Sequence, residues 1–235
     1  MTEIKICGIT NLEDALAAEA FGADAIGFVF AEKSPRYIEP QAAAAISARL
    51  KSVRRVGVFV NRDAEEVHAI RMACRLDFLQ LHGDESPSYC RAFPASILIK
   101  AVSKGQEAQP ALLQPYAVRA FLVDGRARSL RGGTGVKGDW DAAREIRSRF
   151  RLVLAGGLNL DNIEDALRSV GPDAVDIASG VERSPGRKDH ARMKGLIAAV
   201  RACKADRTRP VFRPLSPGSN GAAPTSASSD QGDFS

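Results

Sequence analysis

Two side chains capable of acid–base chemistry stand at the ends of short apolar runs. Cys7 ends the run Glu3–Cys7, and Asp124 follows Phe121–Val123. The thiolate is the reactive form of cysteine, and partial desolvation can raise a carboxyl pKa until the group is a usable acid near neutral pH. On a strand Lys5 and Cys7 point the same way, so the cation would favour the thiolate. The alternatives are a buried packing cysteine and a loop or N-cap carboxylate.

Three glycines and a serine follow two later apolar runs. Gly156 and Gly157 follow one of them, and Ser179 and Gly180 follow the next. Glycine lets backbone N–H groups approach an anion closely, the hydroxyl adds a further donor, and a nearby helix start supplies a positive dipole end. We therefore expect a phosphate site here. The alternative is that the glycines only make tight turns.

Two further residues and one loop are candidates for binding. Arg36, in a long connection, offers a planar fork for a carboxylate, although most loop arginines are simply solvated. His82 could be a ligand or a general base, but a histidine that donates to neighbouring backbone is the preferred interpretation. The Gly- and Arg-rich stretch from Gly125 to Gly138 predicts a mobile lid, with a disordered surface loop as the alternative.

Eight β-branched runs alternate with helical stretches and must position these side chains. Strands that alternate with helices favour a parallel sheet, and eight repeats in about 200 residues predict an α/β fold, a single-domain (β/α)₈ TIM barrel. An open doubly wound sheet remains the alternative, but it would favour a GxGxxG turn after the first strand, and Cys7–Thr10 does not match. Active sites of such barrels lie at the C-terminal ends of the strands. The predicted strands are Glu3–Cys7, Asp24–Phe30, Arg55–Val60, Asp77–Leu81, Ser96–Ala101, Arg119–Val123, Arg151–Ala155 and Ala174–Ala178.

Local signals define helix ends and the domain boundary. Thr10 and Glu13 fit a capping box, and Gly22 fits the stop of the same helix. The last helix has an apolar stripe of Met193, Leu196, Ile197 and Val200. The barrel is expected over residues 1–204. Residues 205–235, Pro/Gly/Ser-rich from Pro214 onward, are expected to be a disordered tail.

Composition narrows the possible partners of this 235-residue chain. Its four cysteines form no CxxC pair and its three histidines are scattered, so no metal site is expected. We see no signal peptide or membrane span, which favours a reduced, cytoplasmic protein. The net charge of +5 suits a phosphorylated anionic small molecule. Nucleic-acid binding is not expected, because aromatic residues are only 6% and the arginines are dispersed.

Many ordered motifs together resemble the phosphoribosylanthranilate isomerases of tryptophan biosynthesis. The similarity covers residues 3 to about 203. The matching motifs are Lys5–Thr10, Gly27–Phe30, Ser34–Arg36, Val58–Asn61, Gln80–Glu85, Val123–Asp124, Gly132–Gly135, Leu154–Leu158, Asp176–Glu182 and Pro185–Asp189.

The resemblance implies an Amadori rearrangement of N-(5-phosphoribosyl)anthranilate that needs no cofactor and no metal. It implies Cys7 as general base and Asp124 as general acid. Arg36 would pair with the anthranilate carboxylate, and the phosphate would be held by Gly156, Gly157, Ser179 and Gly180. Two rivals remain: the related histidine-pathway isomerase, which has an aspartate where Cys7 stands and a second phosphate site, and a catalytically silent barrel that binds a sugar phosphate.

Overall fold

Eight parallel strands form a closed barrel in the computed structural model, which describes residues 1–102, 109–124, 140–203 and 208–214. The strands follow one another round the barrel in chain order, and β1 pairs with both β2 and β8. The (β/α)₈ prediction is confirmed. The strands are β1 (Glu3–Cys7), β2 (Ala25–Val29), β3 (Arg54–Phe59), β4 (Phe78–Leu81), β5 (Leu98–Ala101), β6 (Ala120–Asp124), β7 (Leu152–Ala155) and β8 (Ala174–Ile177).

Helices pack on the outside of the barrel. Every residue of β1 is buried, and Ile4 and Ile6 belong to the apolar layer between strands and helices. Side chains alternate along a strand, so Lys5 and Cys7 point the same way, as predicted, and that way is into the barrel. The helices are α1 (Leu12–Ala20), α2 (Pro40–Ser47), α3 (Ala64–Ala73), α4 (Pro87–Cys90), α5 (Trp140–Arg149), α6 (Ile163–Val170) and α7 (His190–Ala202).

The ends of α1 and the packing of α7 can be compared with the cap, stop and apolar stripe that the sequence predicts for these helices. The N-cap of α1 is Asn11, whose side chain accepts from Asp14 N, so the predicted Thr10 cap is wrong. Thr10 does not cap α1 because its hydroxyl donates to the carbonyl of Gly186 instead. Gly22 follows α1 with a φ of 90°, as its predicted stop requires. The apolar stripe of α7 is fully buried, as expected.

A short antiparallel hairpin stands between the barrel and the last helix. It consists of β9 (Glu182–Ser184) and β10 (Arg187–Lys188), which follow the end of β8 and precede α7. Its turn contains Gly186 with a φ of 77°. The hairpin therefore lies on the same side of the barrel as the C-terminal ends of the strands. None of the helices in the described ranges is long and apolar enough to cross a bilayer.

Residues 208–214, called the C-terminal strap here, pack against the opposite end of the barrel. Val211 and Phe212 are buried and join the apolar layer inside the barrel. The carboxylate of Glu3, at the start of β1, accepts from the backbone N–H groups of residues 211, 212 and 213. This differs from the disordered tail expected over residues 205–235, because an apolar pair beside a buried acceptor gives the strap a docking site. Residues 204–207 and 215–235 lie outside the described part of the chain.

Removing the Phe212 ring should destabilise the folded protein. Phe212 is 1% exposed and meets Phe78 edge to face, with ring centroids 5.7 Å apart. We expect Phe212→Ala to lower the free energy of unfolding by about 3 kcal/mol, as other buried phenylalanine truncations do. Urea unfolding measures this, with the exposed Met72→Ala as control, expected to change by less than about 0.5 kcal/mol. A Phe212→Ala as stable as Met72→Ala would mean that the strap does not stabilise the barrel.

Candidate active site

The C-terminal ends of the strands open into a cavity of about 410 Å³. Six of the predicted site residues line it, and they come from five strands or the loops that follow them. Gly180, the seventh, lines an adjacent depression that it shares with Gly157, Ser179 and Arg192. The six lining residues are Cys7, Arg36, Asp124, Gly156, Gly157 and Ser179.

Cys7 ends β1 with its thiol at the cavity wall, 8% exposed. Room for the sulfur is made by Gly27 on β2, where an added Cβ would lie 2.7 Å from Cys7 Sγ and 3.0 Å from Lys5 Cε. A glycine is therefore required opposite the thiol. Sequence reasoning did not single out Gly27 for this purpose.

Lys5 lies fully buried beneath the thiol. Its Nζ donates to Asp176 Oδ2 and to Gln80 Oε1, both at 2.8 Å. Asp176 on β8 thus faces Lys5 on the neighbouring strand β1. The other oxygen, Asp176 Oδ1, is buried with no hydrogen-bond partner among the described residues, and Asp176 lines the cavity. A buried carboxylate oxygen without a donor is costly, so it is a natural acceptor for a ligand group.

The net effect of this environment on Cys7 differs from the expectation. Burial raises the pKa of the thiol most strongly, and the negative charge of Asp176 raises it further. Lys5 and Lys188 lower the Cys7 pKa, but they do not offset the burial. Lys5 favours the thiolate in the predicted direction, yet the pKa of Cys7 remains above its usual value because burial, together with the charge of Asp176, outweighs the cations.

His82 belongs to the same hydrogen-bonded chain. Because an ammonium can only donate, Lys5 fixes the Gln80 amide with its oxygen toward Lys5 and its NH₂ toward His82 Nδ1, 2.9 Å away. Nδ1 must then accept, which leaves the proton of a neutral ring on Nε2. Desolvation at the cavity wall lowers the pKa of His82, which favours that neutral ring. His82 lines the cavity and is bound to a side chain, not to the neighbouring backbone as predicted.

Arg36 lies at the cavity wall with one edge already occupied. Its Nε donates to Glu182 Oε1 at 2.9 Å and its Nη2 donates to Glu182 Oε2 at 2.6 Å. Glu182 Oε1 also accepts from Lys188 Nζ at 2.9 Å. Glu182 raises the pKa of Arg36, and these two cations hold the pKa of Glu182 below its usual value despite burial. Neither Glu182 nor Lys188 was predicted. The sequence pattern that could have indicated them is a pair of opposite charges on the two sides of the Pro185-Gly186 turn.

The predicted phosphate glycines adopt conformations suited to a tight anion site. Gly156 and Gly157 have φ values of 96° and 67°, which non-glycine residues rarely adopt. A Cβ on Gly180 would lie 1.9 Å from the carbonyl oxygen of Leu158, so the loops after β7 and β8 are in direct contact. Ser179 stands between them at the cavity edge. The structure thus brings Gly156, Gly157 and Ser179 to one side of the cavity, with Gly180 in the depression beside it.

Asp124 is the last residue of β6 and is exposed at the rim of the cavity. The predicted lid after it, from Gly125 to Gly138, lies outside the described residues. Within the described ranges, no group of three or more His, Cys, Asp or Glu side chains is arranged to hold a metal ion.

Comparison with known proteins gives the same family from sequence and from structure. The family model described as N-(5'phosphoribosyl)anthranilate (PRA) isomerase matches residues 4–199. The isomerase of that name from Syntrophus aciditrophicus is 53% identical over 202 residues, which is 86% of this chain and 88% of the relative. The one from Citrifermentans bemidjiense is 49% identical over 202 residues, 86% of this chain and 98% of the relative.

Solved structures agree with these sequence matches. The crystal structure of phosphoribosyl anthranilate isomerase from Thermotoga maritima superposes with a TM-score of 0.78 at 43% identity, over 86% of this chain and 100% of that one. A crystal structure of such an isomerase in complex with reduced 1-(o-carboxyphenylamino)-1-deoxyribulose 5-phosphate has a TM-score of 0.75, with the same identity and coverage. The chain therefore belongs to the N-(5'-phosphoribosyl)anthranilate isomerase family.

Proposed function

We propose that this protein converts N-(5-phosphoribosyl)anthranilate to 1-(2-carboxyphenylamino)-1-deoxyribulose 5-phosphate in tryptophan biosynthesis. The observation that carries the proposal is the meeting of Cys7 and Asp124 at one cavity, on the separate strands β1 and β6. A base and an acid on different sides of one sugar are what an Amadori rearrangement requires. The four free cysteines of the described chain suit a reducing compartment, so we place the activity in the cytoplasm.

Ring opening is the first chemical step. Protonated Asp124 donates its proton to the furanose ring oxygen as the bond between that oxygen and C1′ breaks. The nitrogen lone pair forms the C1′–N double bond, so the product is an open-chain iminium ion. The exposed position of Asp124 at the rim suits contact with a sugar held across the cavity. Such a positioned acid typically contributes about 10²–10⁴-fold to the rate.

Proton abstraction follows at C2′, whose proton the neighbouring iminium makes acidic. The Cys7 thiolate takes this proton, the C–H electron pair becomes the C1′–C2′ double bond, and the iminium electrons return to nitrogen. The resulting enolamine tautomerises to the ketone. Lys5, fixed by Asp176 and Gln80 beneath the thiol, opposes the cost of carrying negative charge at this buried position.

Two anion sites hold the substrate at its ends. Gly156, Gly157, Ser179 and Gly180 would bind the phosphate through backbone N–H groups and a hydroxyl, and Arg36 would bind the anthranilate carboxylate. Fixing both ends places the sugar between acid and base and makes the proton transfers effectively intramolecular. No cofactor or metal takes part in this proposed reaction.

A fluorescence assay with freshly prepared phosphoribosylanthranilate tests the proposal directly. Substrate fluorescence should disappear at a rate proportional to enzyme concentration. Binding without turnover would instead support a silent sugar-phosphate barrel. Turnover only of the larger histidine-pathway bisphosphate would support that related isomerase. Either result would overturn the proposal.

Replacing Arg36 should weaken binding more than it slows chemistry. Loss of a charged fork for a carboxylate in Arg36→Ala should raise KM about 10- to 100-fold, with a much smaller change in kcat. Initial-rate kinetics with the same fluorescent substrate measure both constants. Arg49→Ala, an exposed arginine at the end of α2, is the control and should leave KM unchanged. An unchanged KM in Arg36→Ala would remove Arg36 from the binding site.

A further inference from the structure

The guanidinium of Arg36 has two edges that can each bind a carboxylate, and Glu182 already occupies one of them. A guanidinium presents five N–H donors in one plane, with paired donors along the Nε/Nη2 edge and along the Nη1/Nη2 edge. Glu182 occupies the Nε/Nη2 edge with contacts of 2.9 and 2.6 Å. Among the described residues, Arg36 donates through Nε and Nη2 and not through Nη1. The edge left for a carboxylate in the cavity is therefore the Nη1/Nη2 edge.

Glu182 is itself held from behind the cavity wall. Lys188 Nζ donates to Glu182 Oε1 at 2.9 Å, and the backbone N–H of Gly186 donates to the same oxygen at 3.3 Å. The side chains of Glu182 and Lys188 are almost completely buried, whereas the Arg36 side chain is 23% exposed. Arg36 lines the cavity, while Glu182 and Lys188 lie outside its lining. A buried anion with fixed donors can thus determine the direction of a more exposed arginine.

The same lysine also contacts the strand that carries the thiol. Lys188 Nζ donates to the carbonyl of Cys7 at 2.6 Å and to the carbonyl of Ala178 at 3.3 Å. Gly8, directly after Cys7, allows the close approach of Arg36, because a Cβ there would lie 2.5 Å from Arg36 Cδ. The β9–β10 hairpin thus reaches the base and the carboxylate-binding arginine through one ammonium group.

We propose that Glu182, held by Lys188, is a positioning residue that orients Arg36 so that its Nη1/Nη2 edge receives the substrate's aromatic carboxylate. This inference rests on the proposed function and deepens it, since it assigns carboxylate recognition to a three-residue unit. Two opposite effects of Glu182 can be distinguished. As a simple counter-charge it would weaken Arg36, and its removal would tighten binding of an anion. As a positioning residue its removal must loosen binding.

The test compares two ligands that differ only in the carboxylate. The first is reduced 1-(o-carboxyphenylamino)-1-deoxyribulose 5-phosphate, and the second is its phenylamino counterpart without the carboxyl group. By calorimetry, we expect Glu182→Gln to raise the Kd of the first ligand about tenfold and that of the second less than about twofold. A merely structural role would weaken both ligands alike. Glu182→Asp, which keeps the charge, should recover part of the affinity.

Further variants keep the inference open to refutation. Glu164→Gln, from an exposed pair with Arg168, is the matched control and should change neither Kd. Glu182→Gln could fail to fold because it leaves Lys188 unpaired. In that case the double variant Glu182→Gln/Lys188→Met, which removes both buried charges, is used in the same binding test. In an Arg36→Ala background, Glu182→Gln should change the Kd of the first ligand less than about twofold.

An unchanged or lower Kd in Glu182→Gln, or equal losses for both ligands, would overturn the inference. These outcomes are read from binding alone. If the wild-type protein bound the carboxylate-bearing ligand but did not turn over phosphoribosylanthranilate, the proposed function would fail while the orientation of Arg36 could still be measured.

Discussion

Cys7→Ser should fold normally and lose about three orders of magnitude in kcat, the usual contribution of a positioned base. Serine fits the space that Gly27 leaves for the sulfur, so the cavity wall keeps its shape. A hydroxyl is a far weaker acid than a thiol, so almost no alkoxide forms at neutral pH, even with Lys5 beneath it. Stopped-flow or steady-state fluorescence assays give kcat, and circular dichroism checks the fold.

The matched control is Cys203→Ser, at the end of α7 and distant in sequence from the strand ends. It removes a half-buried thiol of no assigned role and should retain kcat. The assignment of Cys7 as base would be untenable if Cys7→Ser kept more than about a tenth of the wild-type kcat. A loss in both variants would point to general damage by loss of thiols.

Asp124→Asn should also lower kcat, by about 10²–10⁴-fold, because an amide cannot protonate the leaving ring oxygen. The change is isosteric and lies at an exposed strand end, so stability should be almost unaffected. Asp84→Asn is the control, since Asp84 is an exposed carboxylate in the loop after β4. Equal effects of the two substitutions would indicate a loss of surface charge and not of an acid.

The residual activity of Asp124→Asn should also reveal the base. With the acid removed, catalysis depends on the fraction of Cys7 that is thiolate. Burial raises the Cys7 pKa, so thiolate is the minor form at neutral pH and its fraction grows with pH. The residual kcat/KM should therefore rise about tenfold per pH unit on the acid side of that pKa. A flat profile would contradict Cys7 as the titrating base.

Much of the fold was predictable because strand and helix periods are local properties of the chain. All eight strand positions agree with the structure to within two residues, and the α7 stripe is buried as expected. The α1 cap was mispredicted because Thr10 is bound to Gly186, which lies far along the chain. The docking of Val211 and Phe212 was missed for a similar reason, since a short apolar pair acquires a meaning only when Glu3 is brought beside it.

The site was predictable where a residue's position in the barrel decides its surroundings. Cys7 and Asp124 end strands, and the closed topology brings strand ends together. The Cys7 pKa was not predictable from Lys5 alone, because Asp176 and burial act on the same thiol. Likewise, Arg36 could be nominated as a carboxylate fork, but which of its edges is free depends on Glu182, 146 residues later.

The position of the C-terminal strap has a practical consequence for immobilisation. The strap crosses the end of the barrel where β1 begins, and the cavity opens where the strands end. A surface or carrier joined after residue 214 would therefore attach at the base of the molecule. Substrate could then diffuse in from the free side, whereas attachment through the β9–β10 hairpin would obstruct the entrance.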